Sequence, residues 1–598
     1  MSTLGVRISW RRLVAAAGTA VLVAGCGATV SHRPAVRIVK GGTVAFALPA
    51  GATPNYIFPI TPGAQFSTVN LGYFQPLMFR PLYWLGKKNA PVVSPTLSLA
   101  DAPVYSNGGR TVTITLKPYR WSNGTPVTSR DVQFFMNLLT ANKANWGGYV
   151  QGEMPDSIVS FTIDSARTFS ITFNKVFSPN WLLDNQLSSI VPLPLAWDKT
   201  SASTPPGNFD LTTKGAAAVY KFLNAQSSTL ATYATNPLWQ VVDGPFRLAG
   251  FDPSTGYASF VPNRQYSGSV KPHIAKLEEV PFIGNAAEFN QLRSGQLDYG
   301  YLPTTDVTQR TYFASRGYSV RPWPGWSINY LVLNYTNRQE RAFFDQLYLR
   351  QVMQLTVNQP QWVADTLKGY GSPDYGPVPL QPKSPFLSTY EAGNPYPYSP
   401  SRAAALLRQH GWTVKPNGAS VCSRPGTGPS ECGAGIRGGA PLVFNVLYQS
   451  GGNAVTQQME AWKSNATQVG LELNLSERPF NTVITIANPC TTGPTCTWDI
   501  AGWGGWGFGT PDPTGDQAFS PLNTGGYQDP TMNRLIAATT TAGGQQPMFT
   551  YENYLAKNLP VLWWPNPSTQ ISVISSKLHR VYQNPLGLIT PEYWYLTR

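Results

Sequence analysis

Between Trp498 and Asp512 the chain reads Trp498-Asp499-Ile500-Ala501-Gly502-Trp503-Gly504-Gly505-Trp506-Gly507-Phe508-Gly509-Thr510-Pro511-Asp512. Glycines alternate here with large aromatic rings. Glycine lets backbone amides come close to a bound molecule, and flat rings offer faces for it to stack on. That is chemistry for holding a solute, not for cutting one. Asp499, Asp512 and Asp516 are the nearby acids. The four histidines, His32, His273, His410 and His579, are scattered along the chain. No G-x-S-x-G elbow, H-E-x-x-H helix, phosphate loop or dinucleotide fingerprint is present. Paired carboxylates stay open on sequence grounds, since they need only spatial proximity. The expectation is a binding protein with no enzymatic activity, no cofactor and no metal.

The five cysteines divide into two groups. Cys26 follows Val23-Ala24-Gly25 at the end of an apolar run, Leu13 to Ala24, which itself follows Arg7, Arg11 and Arg12. This order of basic, apolar and small residues describes a secretory signal too short to span a membrane stably. A cysteine directly after the small residues matches the lipobox pattern. We therefore expect residues 1–25 to be a signal peptide, Cys26 to be lipidated and 26–37 to form a tether. The other four cysteines pair most simply as Cys422–Cys432 and Cys490–Cys496, each closing a Gly/Pro-containing loop. That even number fits an oxidising compartment. Neither spacing is that of a zinc knuckle.

A chain of 598 residues exceeds what one core holds, so at least two lobes are expected. Charged residues make up only 12%, yet the net charge is +14. No arginine-rich helix, zinc finger or aromatic RNA-binding motif accompanies that charge, and a nucleic-acid partner is not expected. Attraction to anionic lipid or wall polymers suits it better, and a solubility feature with no partner suits it equally.

These candidates need elements to position them. Gly41 to Leu48 reads as a buried strand, and Asn55 and Tyr56 sit in the loop after it. TVTITLK (111–117) alternates as a strand and leads through a polar turn to a helix. Thr128 is placed to cap that helix, with Asp131 reaching back to it and Val132, Phe135, Met136 and Leu139 on its buried side. Strands are expected at 157–163, 168–173 and 274–281, with two more around the Pro-Ser-Thr-Gly turn at 253–256. Helical periodicity covers 286–294, 347–357, 400–410 and 454–469, the last followed by the strand LELNLSE. Strands alternating with helices imply α/β architecture with mixed sheets.

LKPYRWSNGTPVTSRDVQFF (116–135) closely resembles the signature of the family 5 extracytoplasmic solute-binding proteins of ABC importers, the peptide and nickel binders. DGPFRLAGF, FNQLRSGQLDYGYLP and SPSRAAALLRQHGW are similar to further segments of that family, and they occur in the family's order. The resemblance implies a periplasmic-binding-protein-like type II fold, two hinged lobes with an appended subdomain. By analogy lobe I is 38–66, 186–280 and 571–598, the subdomain 67–185, and lobe II 281–570. Arg120 and Asp131 are then structural. Family members carry a loop G-W-x-x-D-x-x-D/E-P in the cleft, whose aspartate pairs with the α-amino group of a peptide. Gly509 occupies that aspartate's position here, and Asp512 matches the later acid. The implied ligand contacts are Asn55, Tyr56, Trp326, Asn329, Trp503, Gly504, Gly505, Trp506, Gly507, Phe508, Gly509 and Asp512. The implied function is a lipid-anchored component, on the outer face of the cell membrane, that delivers short peptides to ABC permease subunits. An oligosaccharide ligand is the alternative, and a non-transport envelope scaffold or regulator is a third reading.

Overall fold

A computed structural model describes residues 38–598, except 339, 451–452, 488, 491–495 and 522. The expected signal peptide, the tether and Cys26 lie outside the described residues.

Two large mixed sheets organise the chain. The first has seven strands in the order Tyr318–Trp323, Gln570–Ser575, Tyr299–Leu302, Thr43–Ala47, Lys276–Val280, Ala258–Pro262 and Phe246–Phe251. Thr43–Ala47 is parallel to both of its neighbours, and the remaining pairs are antiparallel. Its sequence TVAFA is apolar almost throughout because both faces are covered, as parallel strands require. The second sheet runs Glu472–Arg478, Val443–Gln449, Ile500–Gly502, Ser327–Leu333 and Trp506–Gly507, with Val561–Trp564 also pairing to Ser327–Leu333. A four-stranded antiparallel sheet of 104–106, 111–115, 168–173 and 158–163 stands apart from both.

The chain leaves the first sheet at Trp323 and enters the second at Ser327, then returns between Trp564 and Gln570. These two crossings join two lobes. The strands at 299–302 and 318–323, assigned by sequence analogy to 281–570, pair instead into the first sheet. The buried run Tyr299–Leu302 completes the central parallel ladder beside Thr43–Ala47. Family resemblance orders segments along the chain but says nothing of strand register, which explains the difference.

Local signals formed as expected. Helix Ser129–Ala141 begins after Thr128, whose amide and hydroxyl both donate to Asp131 Oδ2 at 2.7 Å. The other oxygen of Asp131 accepts from Trp121 Nε1 at 3.2 Å and from the Leu195 amide at 3.3 Å. Burial nonetheless holds the Asp131 carboxyl above its ordinary range. One short turn is thereby tied to the helix and to the 190s loop. Helix Pro400–Gln409 starts after Ser399, which accepts from the Arg402 amide at 3.3 Å, and it stops before Gly411 at φ 76°. Cys422–Cys432 and Cys490–Cys496 are disulfide-bonded. Among the described residues no helix is long and apolar enough to cross a membrane.

Candidate functional site

A cavity of about 430 Å³ lies in the first lobe and its 67–185 segment, and the second lobe reaches it through Gly509. One wall comes from the segment 59–85, with Phe66, Leu71, Phe79, Tyr83 and Trp84, and from Trp146 and Val191. Facing it are Gly509, from the loop that follows the second sheet, and Leu586 and Leu588 near the carboxyl terminus. The wall is built by close backbone packing. The Ile589 amide donates to the Gly72 carbonyl at 3.2 Å, and a side chain at Gly72 would collide with the backbone of Gly587. Gln75 Nε2 donates to the Tyr56 carbonyl and to Thr61 Oγ1, both at 3.0 Å, pinning the 55–61 loop against this segment. Asn70 adds to the pin, accepting from the Asn55 amide at 3.0 Å and donating to Asn55 Oδ1 at 2.7 Å.

Of the residues expected to touch ligand, Gly509 lies on this wall. Tyr56 packs in the first-lobe core, and its hydroxyl donates to Asn224 Oδ1 at 2.6 Å. Asn55 is exposed beside it. Trp326 is buried in the second-lobe core with its ring centroid 6.2 Å from that of Phe508, and its carbonyl accepts from the Phe508 amide at 2.9 Å. Asn329 is also buried, its amide donating to Asp374 Oδ2 at 2.7 Å and its side chain to the Pro565 carbonyl at 2.8 Å. Trp503 and Trp506 are half-buried against the same core.

The glycines of this run have unequal roles. Gly505 has φ 75°, and a β-carbon there would strike the Ile328 carbonyl, so glycine is required for the loop to lie against its neighbouring strand. Gly504 also has positive φ, 100°. Gly507 and Gly509 face open space, with nothing within 4 Å of an added β-carbon. The aromatic run thus closes the end of the second-lobe core and presents Gly509 to the cavity.

Asp512 goes elsewhere. It is 3% exposed, and its Oδ1 has no hydrogen-bond partner among the described residues. Burial and the charges of Asp184 and Asp516 hold its carboxyl well above the ordinary range. Asp184 belongs to the opposite lobe, where burial lifts it to about 7. Beside this pair the lobes touch directly. Thr510 Oγ1 donates to Asn185 Oδ1 at 2.8 Å, and the Ser178 amide donates to the Thr540 carbonyl at 2.8 Å. Glu153 and Asp516 face each other along the same seam, with Lys175 on the wall of the cavity they share. Burial, followed by the charge of Asp516, raises Glu153 to about 7, while Gln186 Nε2 donates to it at 2.7 Å. No group of three or more His, Cys, Asp and Glu among the described residues is arranged to hold a metal ion.

The sequence profile of the bacterial extracellular solute-binding proteins, family 5, matches residues 94–527. The chain belongs to this family. Its curated relatives include a Brucella ovis protein named as a candidate ABC transporter peptide-binding protein, 25% identical over 398 residues, covering 66% of this chain and 62% of that protein. Protein XP55 of Streptomyces lividans is 24% identical over 64% of this chain and 59% of its own length. The chain therefore matches about three-fifths of the length of these family relatives. Among solved structures, the ABC transporter substrate-binding protein CtaP of Listeria monocytogenes superposes with a TM-score of 0.69 at 16% identity, covering 94% of this chain and all of that one. The oligopeptide-binding protein AppA of Bacillus subtilis, in complex with a nonapeptide, gives 0.60 at 16% identity over the same shares. At such identities the likeness establishes the family's two-lobed α/β fold.

Sequence reasoning missed most of the cavity wall. Phe66, Trp84, Trp146, Leu586 and Leu588 lie in turn-rich stretches where no helix or strand period marks them. Their one signal is the density of large apolar residues in segments that read as loops.

Proposed function

We propose that this family 5 protein is the substrate-binding component of an ABC importer, trapping short peptides between its lobes and passing them unchanged to permease subunits. The observation that carries this reading is the cavity of about 430 Å³ in the first lobe, which the second lobe meets at Gly509. A ligand touching both walls stabilises the shut arrangement, and the shut arrangement is what a permease can distinguish from the open one. The peptide-binding names of its relatives and the nonapeptide in the Bacillus subtilis neighbour support peptides as the ligand class. The basic amino-terminal segment and the small residues before Cys26 support a lipid anchor on the outer face of the membrane. Mass spectrometry of molecules released from the purified protein, followed by scattering with and without them, tests the reading. Short peptides that co-purify and shrink the particle on re-addition are expected. Turnover of a bound solute, or a particle unchanged by every solute tried, would refute it.

A further inference from the structure

The wall of the cavity carries no charge. Among the described residues, none of the side chains lining it is ionisable as an acid or a base in the neutral range. Four of its polar side chains are bonded within the chain, while Trp84 Nε1 is buried without a partner among the described residues. Ser67 Oγ accepts from the Asn70 amide at 3.2 Å, and Ser188 and Ser189 donate to the carbonyls of Asp184 and Gln186 at 2.5 and 2.7 Å. Gln75 is engaged by Tyr56 and Thr61. What remains facing the space is aromatic and aliphatic, and the volume of about 430 Å³ is that of a small-molecule site. Gly509 stands on the wall with room for a side chain, yet supplies none. The next acid along its loop, Asp512, is buried in the seam.

A free ammonium group carried past the exposed rim of Phe66, Ser67, Thr68 and Gly509 onto the buried wall would lose water and find no counter-charge, which is unfavourable. We propose that the cavity accepts an uncharged, hydrophobic short peptide whose amino terminus is masked, seated by its apolar side chains without an ionic anchor. This rests on the cavity being the solute site.

The test uses the purified protein and four probes: N-acetyl-Leu-Phe-amide, free Leu-Phe, Lys-Lys and maltotriose. Calorimetry and tryptophan fluorescence report binding, since Trp84 and Trp146 line the wall, and scattering reports closure. The masked dipeptide should bind at least tenfold more tightly than any other probe. Two variants at the open position sharpen the result. Gly509→Asp should improve free Leu-Phe at least tenfold and weaken the masked form. Gly509→Trp should fill the space and weaken the masked form at least tenfold, with the melting temperature unchanged. If free Leu-Phe, Lys-Lys or maltotriose binds as tightly as the masked peptide and Gly509→Trp blocks it, the cavity is a solute site and the masked-peptide inference falls alone. If no probe binds or closes the lobes, the solute-site reading falls together with it.

Discussion

Replacing Asp184 with asparagine should flatten the pH dependence of stability in a calculable way. Asp184 is 6% exposed, and burial raises it from 3.8 to about 7. A carboxyl so raised holds its proton in the folded protein while the unfolded chain has released it. Its contribution is therefore complete below pH 3.8 and disappears as the pH climbs through about 7. At 1.36 kcal/mol per pH unit, the difference is about 4 kcal/mol. Glu153, Asp198, Asp243 and Glu288 are each raised to about 7 with burial as the leading cause, so the parent protein should itself gain stability as pH falls from 8 to 5. The Asp184→Asn variant removes this titration, because an amide does not titrate, and with it the charge that helps to raise Asp512. Urea unfolding of both proteins at closely spaced pH values between 4 and 8 measures the effect. The stability of the variant relative to the parent should rise by about 4 kcal/mol across that range and level off above pH 7. Asp516, Glu153 and Lys175 are common to both proteins, and Asp512 differs only by the loss of the Asp184 charge. A constant offset between the two profiles would refute the assignment of a buried, protonated Asp184.

Other expectations are open to simpler checks. Cys26→Ala should shift the protein from the membrane fraction to the soluble fraction on cell fractionation, and unchanged membrane retention would sink the lipidation reading. Glu592→Ala should cost about 3 to 5 kcal/mol in chemical denaturation, because it strands the Arg80 guanidinium, whose side chain is 1% exposed and whose ion-pair partner is Glu592. Gly505→Ala should lower the melting temperature while Gly507→Ala should not, since a β-carbon at the first meets the Ile328 carbonyl and at the second meets nothing. Equal effects at both sites would contradict that geometry.

Much of the fold was legible because its signals are local. A capping threonine with an aspartate three residues on, a serine-proline helix start and a terminal glycine act within one turn, and those helices formed where expected. Short cysteine loops likewise left little choice of partner. Sheet membership was not local. Tyr299–Leu302 pairs with both Thr43–Ala47 and Gln570–Ser575, strands more than 250 residues away on either side, and no periodicity in the segment specifies that. The site was legible only in part for a related reason. Glycine and tryptophan in alternation serve both a cleft and the end of a core, and here Trp326, Trp503, Trp506 and Phe508 pack on the second-lobe core. Which role a ring adopts depends on the strand beside it, Ser327–Leu333, drawn from a distant stretch of the chain.

Ser327 and Asn566, the residues at which the chain enters and leaves the second lobe, bond to each other, with Asn566 Nδ2 3.1 Å from Ser327 Oγ. Topologically that lobe is a cassette with adjoining ends, spliced into a host whose own sheet closes around the splice. Recombination between related genes could exchange one lobe as a block and leave the other lobe's core undisturbed. The cavity wall would keep every lining residue but Gly509 through such an exchange.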